Sequence, residues 1–160
     1  MQSNQQYCPC GKPLLFAQCC QPLLKGERVA ASPELLMRSR FSAYVNSDYA
    51  YILATYAQQQ RQNLNIDELQ QSSANTQWLR LVVHSSTHNE LSGEVEFSAF
   101  YKADKQFYLM HETSDFIYEN GRWYYTTGTM HKDSGPYVQQ RNEQCLCNSG
   151  KKYKKYCANS

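Results

Sequence analysis

Two rhythms of apolar residues divide the middle of this chain. Between residues 33 and 46, Leu36, Met37, Phe41, Tyr44 and Val45 recur at the three- and four-residue spacing of one helical face. The start of that helix is marked chemically. Ser32 is placed to cap it, Pro33 suits its first position, and Glu34 sits near its positive end. Asn46, Ser47 and Asp48 either break the helix or cap a second one, predicted from Tyr49 to about residue 59 and carrying Ile52, Leu53 and Tyr56. A short third helix is predicted over residues 66–73, with Asn65 or Asp67 as its cap.

From Trp78 the period falls to two. Residues 78–84 read as a first strand and residues 93–101 as a second. In the second, Val95, Phe97, Ala99 and Tyr101 share one face while Glu94, Glu96 and Ser98 share the other, with Phe100 out of pattern. Residues 107–118 form a third strand. The sequence Glu119-Asn120-Gly121 then makes a hairpin turn whose Asn-Gly pair favours type I′. Residues 122–129, rich in Trp and Tyr, complete a fourth strand. Helices followed by an antiparallel meander define an α+β class. A curled sheet wrapped around the first helix would leave a cone-shaped space.

The ends of the chain follow neither rhythm, and they hold all seven cysteines. Cys8-Pro9-Cys10 precedes Cys19-Cys20, and Cys145-Leu146-Cys147 precedes Tyr156-Cys157 with the same spacing; Phe16 aligns with Tyr153. An odd number of thiols cannot all be paired, and bridges between Cys8 and Cys10 or Cys19 and Cys20 would close strained rings. Metal binding is the better reading. Zinc takes four tetrahedral ligands and favours thiolates, so Cys8, Cys10, Cys19 and Cys20 make a closed structural Zn2+ site. Pro9 fixes the turn and Gly11 permits it to be tight.

In the second copy Tyr156 occupies a ligand position, leaving Cys145, Cys147 and Cys157. A phenol is a poor zinc ligand. Three outcomes stay open: a three-thiolate site completed by water or another side chain (His131 is one candidate), a metal-free mimic, or a disordered tail. Lys151, Lys152, Lys154 and Lys155 alternate with Tyr153 and Tyr156. They would contact RNA, a ribosome or an acidic protein surface, or else offset the charge of metal-bound thiolates.

Composition narrows the class. A hydrophobic fraction of 41% and an aromatic fraction of 13% mark a globular chain rather than a disordered one. A net charge of +2 does not by itself indicate a nucleic-acid binder, and DNA is not an expected partner. No apolar run reaches the ~20 residues of a membrane span, and the first seven residues are polar, so a cytoplasmic protein is expected. Four parts are expected: a zinc motif over residues 1–25, a core over 26–130, a polar linker over 131–144 and the second motif over 145–160.

The run from Cys145 through Asn148-Ser149-Gly150-Lys151-Lys152-Tyr153-Lys154 to Cys157 resembles the SEC-C motif, the zinc-binding tail of the preprotein translocase ATPase SecA. Its form is C-x-C-x-S-G-x-K-[YF]-K-x-C-[CH]. Cys8 to Cys20 resembles it at the cysteines and Phe16 but lacks the Ser-Gly and the lysines. One such motif at each end resembles the YchJ family of uncharacterised bacterial proteins. The stretch Leu36-Met37-Arg38-Ser39-Arg40-Phe41-Ser42-Ala43-Tyr44 and Trp123-Tyr124-Tyr125 with Gly128 are similar to that family's internal signatures. The resemblance implies a nuclear transport factor 2-like (cystatin-like) cone. It also implies contact with proteins or ribosomes through the SEC-C motifs, since those of SecA are associated with zinc, the SecB chaperone and ribosomes.

The fold alone implies no activity. If the cone holds a reactive pocket, the candidates are His111, Glu112 and Asp115 on the third strand, Arg38 and Arg40 on the first helix, and Tyr125 on the fourth strand. His111 and Asp115 share one strand face, Glu112 and Ser114 the other. A His–Asp pair could move a proton in a dry pocket. Alternatively, Arg38 or Arg40 pairs with Glu112 or Asp115 as a structural bridge. His84 and His88 are expected at the surface. No phosphate-binding glycine loop or nucleophile elbow is present, and the middle of the chain has no cysteine, so the balance leans away from an enzyme. The leading expectation is a zinc-binding interaction or adaptor protein. The alternative is a small-molecule binder or enzyme using the core cavity.

Overall fold

The computed structural model describes residues 6–146, 152 and 153. Its central helix forms as the capping residues dictate. Ser32 Oγ accepts a hydrogen bond from Leu35 N at 3.2 Å, and Pro33 opens the helix α2 (Pro33–Val45). A four-residue helix, α1 (Gln21–Leu24), precedes it. Asp48 caps α3 (Tyr49–Ala54) by accepting from Tyr51 N. After α4 (Gln58–Arg61), Asn65 caps α5 (Ile66–Ser72) by accepting from Glu68 N. Val45, placed in the apolar stripe by its spacing, is exposed at the end of α2.

The second helix stops five residues earlier than its pattern suggested. Thr55 turns its hydroxyl back onto the carbonyls of Tyr51 and Ile52. The chain then crosses to the sheet, where Ala57 N donates to Tyr125 O and Tyr125 N to Thr55 O, both at 2.8 Å. The free edge of the fourth strand thus wins Tyr56 from the helix.

The sheet is an antiparallel meander of β1 (Thr76–His88), β2 (Ser92–Ala103), β3 (Gln106–Glu119) and β4 (Arg122–Met130). Asn120 and Gly121 both take positive φ, 53° and 79°, as the type I′ turn requires. Register shifts between Trp78 and Arg80, between Val83 and Ser85, and between Ser114 and Phe116 sharpen the twist. The sheet curls around α2, which buries Leu36, Met37 and Phe41 against Leu81, Val95, Phe97, Ala99, Phe116 and Trp123. A row of rings (Tyr44, Trp78, Tyr101, Tyr108) continues this inner layer, with centroid spacings of 5.7, 4.9 and 5.1 Å. The architecture is α+β, helices packed in the hollow of a curved antiparallel sheet.

One strand was not expected. Residues 131–144, read as a polar linker, return to the sheet: β5 (Gly135–Pro136) pairs with Leu109 and Tyr108 of β3. Proline is tolerated there because the strand lies on an edge. Tyr137 N donates to Phe107 O, and the Tyr137 ring packs edge-on against Phe100 at 5.1 Å. Phe100 breaks its strand's alternation because this segment covers it on the outer face.

Phe97 is 1% exposed at the centre of the core. Phe97→Ala should cost about 3–5 kcal/mol of unfolding free energy, measured by urea denaturation.

Candidate metal centre and core cavity

The four N-terminal cysteines reach one point from two small turns. The first is a hairpin: Cys8 N donates to Leu14 O at 2.8 Å and Phe16 N to Gln6 O at 2.9 Å, with Gly11 at its tip in a left-handed conformation, φ 93°. The second is the 3-10 helix Phe16–Gln18, whose Phe16 carbonyl accepts from Cys19 N before Cys20 starts α1. The candidate ligand atoms of Cys8, Cys10, Cys19 and Cys20 lie within 4.8 Å of one another. Cys10 Sγ and Cys19 Sγ are 3.6 Å apart. A tetrahedron with ~2.3 Å metal–sulfur bonds spaces its sulfurs by about 3.8 Å, so the set can close on one ion. None of the four is in a disulfide.

The electrostatics of the bare cluster point the same way. Hydrogen bonds from Cys10 and Cys20 hold the Cys8 thiol far below its ordinary range. Burial and the charge at Cys10 push Cys19 up to about 12, and the bonds that Cys20 makes to Cys10 and Cys8 push it up as well. Without a cation, negative charge concentrates on some sulfurs while others keep their protons. A divalent cation removes that repulsion and allows all four to ionise.

This knuckle is docked on the core through one side of α2. Glu34, Arg38 and Ser42 follow each other at four-residue spacing. Glu34 accepts from Arg38 Nε at 3.0 Å, Arg38 Nη1 donates to Cys10 O at 2.7 Å, and Ser42 Oγ lies 3.5 Å from Cys8 Sγ. Arg38 is therefore a clamp on the cysteine knuckle, not a pocket residue. A Cβ on Gly11 would meet Leu81 O at 3.1 Å, so the knuckle also lies close to the sheet.

The described part of the second copy repeats the first hairpin. A bridge joins Tyr7 to Leu15 in one and Gln144 to Lys152 in the other. Phe16 N donates to Gln6 O, and Tyr153 N to Glu143 O, both at 2.9 Å. Cys145 and Leu146 are buried, and Arg80 Nη2 reaches Cys145 O at 3.5 Å. Cys147, Tyr156, Cys157 and the lysines 151, 154 and 155 lie outside the described residues. His131 stacks on His111 at 3.9 Å.

The hollow of the sheet holds a cavity of about 290 Å³. Arg40, Glu112 and Tyr125 are in its wall with Tyr44, Tyr56 and Trp78. Arg40 is 3% exposed, a burial that the helical pattern did not predict. Its guanidinium lies over the edge-to-face pair of Tyr56 and Tyr125 rings, 4.5 and 4.6 Å from their centroids, and donates to Ile52 O and Thr55 Oγ1. Glu112 Oε1 accepts from Ser114 Oγ at 2.9 Å and Tyr125 Oη at 2.8 Å. Gly128 must lack a side chain here, because a Cβ would overlap Glu112.

His111 and Asp115 are not in the cavity wall: strand alternation puts them on the outer face, opposite Glu112 and Ser114. The His–Asp pair envisaged for a dry pocket does not form there, and the described residues contain no ion pair from Arg38 or Arg40 to Glu112 or Asp115. Tyr44 and Tyr56 complete the polar wall, with no signal beyond helical spacing to mark them.

The fold and cysteine geometry define a class, a nuclear transport factor 2-like domain joined to SEC-C-type knuckles. Residues 32–128 match the family model "YchJ, middle NTF2-like domain", and residues 141–155 match the SEC-C motif. The chain is 38% identical over 165 residues to a UPF0225 protein of Shewanella sp. (strain ANA-3), covering 97% of this chain and 98% of that one. It is 39% identical over 155 residues to a UPF0225 protein of Pectobacterium carotovorum, covering 94% and 96%. Two solved structures are similar. A SEC-C motif containing protein from Rhodopseudomonas palustris superposes with a TM-score of 0.73 at 36% identity, covering 76% of this chain and 96% of that one. A second, from Psychrobacter arcticus, gives 0.70 at 29% identity with 99% of each chain covered. The chain belongs to the YchJ (UPF0225) family.

Burial pushes the Tyr44 phenol up to about 12, and burial beside Glu112 pushes Tyr125 up further. Both exceed the ordinary 10.0, so folding favours their neutral forms. Their contribution is complete below the unfolded pKa and is lost as pH rises through the folded values. Urea midpoints should fall above pH 10, and absorbance titration should find phenols that ionise only on unfolding.

Proposed function

We propose that this protein is a cytoplasmic zinc-binding adaptor whose SEC-C-type knuckles contact a protein or ribonucleoprotein partner. The convergence of buried Cys8, Cys10 and Cys20 and half-buried Cys19 in a disulfide-free knuckle carries the reading. Four thiolates leave no open coordination position, so the zinc is structural. Binding it contributes on the order of 10–16 kcal/mol in small zinc peptides, enough to order a segment with little core of its own. The basic residues Lys151, Lys152, Lys154 and Lys155 of the second motif suit an RNA or an acidic protein surface. No helix among the described residues is long and apolar enough to cross a membrane.

Protein purified without chelators should carry at least one zinc per chain by mass spectrometry, and Cys19→Ser should remove one equivalent. Chelation should open residues 6–26 to protease while the sheet stays folded. A natively purified, folded chain without metal sinks the zinc reading. The adaptor role requires a cytosolic partner whose capture is weakened by chelator and by Lys151→Glu with Lys152→Glu. Equal capture in all cases rejects it.

A second reading is favoured by the cavity itself. Arg40 and Glu112 both line it without pairing to each other, and Trp78 in the same wall has a buried Nε1 with no acceptor among the described residues. Such a wall suits a small polar molecule with both donors and acceptors. Screening small carboxylates and amides by NMR should perturb Trp78 and Tyr125, and Glu112→Gln should abolish the shifts. If no compound moves either residue, this reading fails.

A further inference from the structure

The outer face of the sheet carries a second group of metal-ligating side chains, built by the step from β4 to β5. β4 leaves β3 after Met130, and β5 rejoins it at Gly135, so residues 131–134 pass over His111. The crossing is pinned at three points. His131 N donates to His111 O at 2.8 Å, His111 N to Ser134 Oγ at 2.9 Å, and Ser134 Oγ to His111 O at 3.0 Å. The backbone of His111 thus gets its ladder bonds from the crossing segment, which delivers His131 and Asp133 to its side chain. Bulges that re-aim side chains in this way are frequent beside functional sites.

The side chains form a graded set around His111. Glu96, on the neighbouring strand, meets His111 Nε2 at 2.7 Å, and Asp133 meets Nδ1 at 2.8 Å. His131 stacks on the ring at 3.9 Å with planes 9° apart, and its Nε2 lies 2.7 Å from Thr113 Oγ1. Ligand atoms of Glu96, His111 and His131 lie within 4.8 Å of one another. Metal-bound imidazoles commonly give their second nitrogen to a carboxylate, which fixes the tautomer and orients the ring. Asp133 on Nδ1 does this, leaving Nε2 to face Glu96.

We propose that Glu96, His111 and His131 bind a divalent first-row transition ion, with Asp133 orienting His111 from behind. Two imidazoles and one carboxylate select such ions over Ca2+ and Mg2+, and three protein ligands leave positions open to solvent. Binding replaces the direct Glu96–His111 contact with two metal bonds and turns His131 from Thr113 toward the ion. The site lies on the opposite sheet face from the cavity and is independent of the thiolate knuckle and of the adaptor reading.

The test uses the full chain with its thiolates first saturated by Cd2+ and the excess removed by gel filtration. Co2+ is then titrated, followed by calorimetry and visible absorption. Wild-type protein should take up one further equivalent, with the imidazole NMR signals of His111 and His131 broadened together. Glu96→Gln and His131→Gln should each weaken binding at least tenfold, Asp133→Asn by about 10–100-fold, and His88→Gln should leave it unchanged. Dispersed NMR spectra confirm that each variant is folded, and Glu96→Gln alters a partly exposed group that the core does not need. Absence of a further equivalent overturns the proposal, and the contacts of His111 with Glu96 and Asp133 are then a hydrogen-bonded surface cluster alone. So does binding that survives both Glu96→Gln and His131→Gln.

Discussion

The burial of α2 inside the curled sheet organises the rest of the molecule, because three sides of one helix serve three structures. Leu36, Met37 and Phe41 enter the apolar core. Glu34, Arg38 and Ser42 hold the N-terminal knuckle. Arg40 and Tyr44 form a wall of the cavity. A helix so surrounded cannot shift along its axis without disturbing the packing of all three. The knuckle is thus coupled mechanically to the domain, although its own local structure is only a hairpin and a short turn.

What the sequence made readable follows from local chemistry. Cysteine spacing survives translation into space because thirteen residues with a tight turn leave few ways to bring four sulfurs together. Strand alternation separated His111 and Asp115 from Glu112 and Ser114, but which pair faces the cavity was decided by the packing of α2 against the sheet. The cap at Ser32 and the Asn120-Gly121 turn were equally local, and of the two caps open for the third helix, Asn65 and Asp67, the structure uses Asn65. The failures are all places where a distant segment decides. Tyr56 left its helix for the edge of β4, and residues 135–136 joined β3 despite their polar surroundings and proline. Arg40 is buried because two tyrosines from separate elements supply ring faces for its charge. The grouping of Glu96, His111, His131 and Asp133 depends on where β4 ends, which periodicity does not encode.

The two terminal motifs are the clearest case of sequence similarity predicting geometry. Equivalent positions make equivalent backbone bonds at both ends, Phe16 to Gln6 and Tyr153 to Glu143. The hairpin therefore does not need the same ligand set. The bridge and the backbone bond of its aromatic residue are what the described residues of the two copies share.

The cavity presents a different balance. Arg40 and Glu112 share one wall, yet each is satisfied by neutral groups: hydroxyls on Glu112, and a carbonyl, a hydroxyl and two aromatic faces on Arg40. A direct ion pair would have neutralised both charges and closed the space between them. Each side chain is held by its own neutral partners instead, on the wall of a hollow of about 290 Å³. Gly128 adds to the argument, since the absence of a side chain there is what lets Glu112 occupy its place.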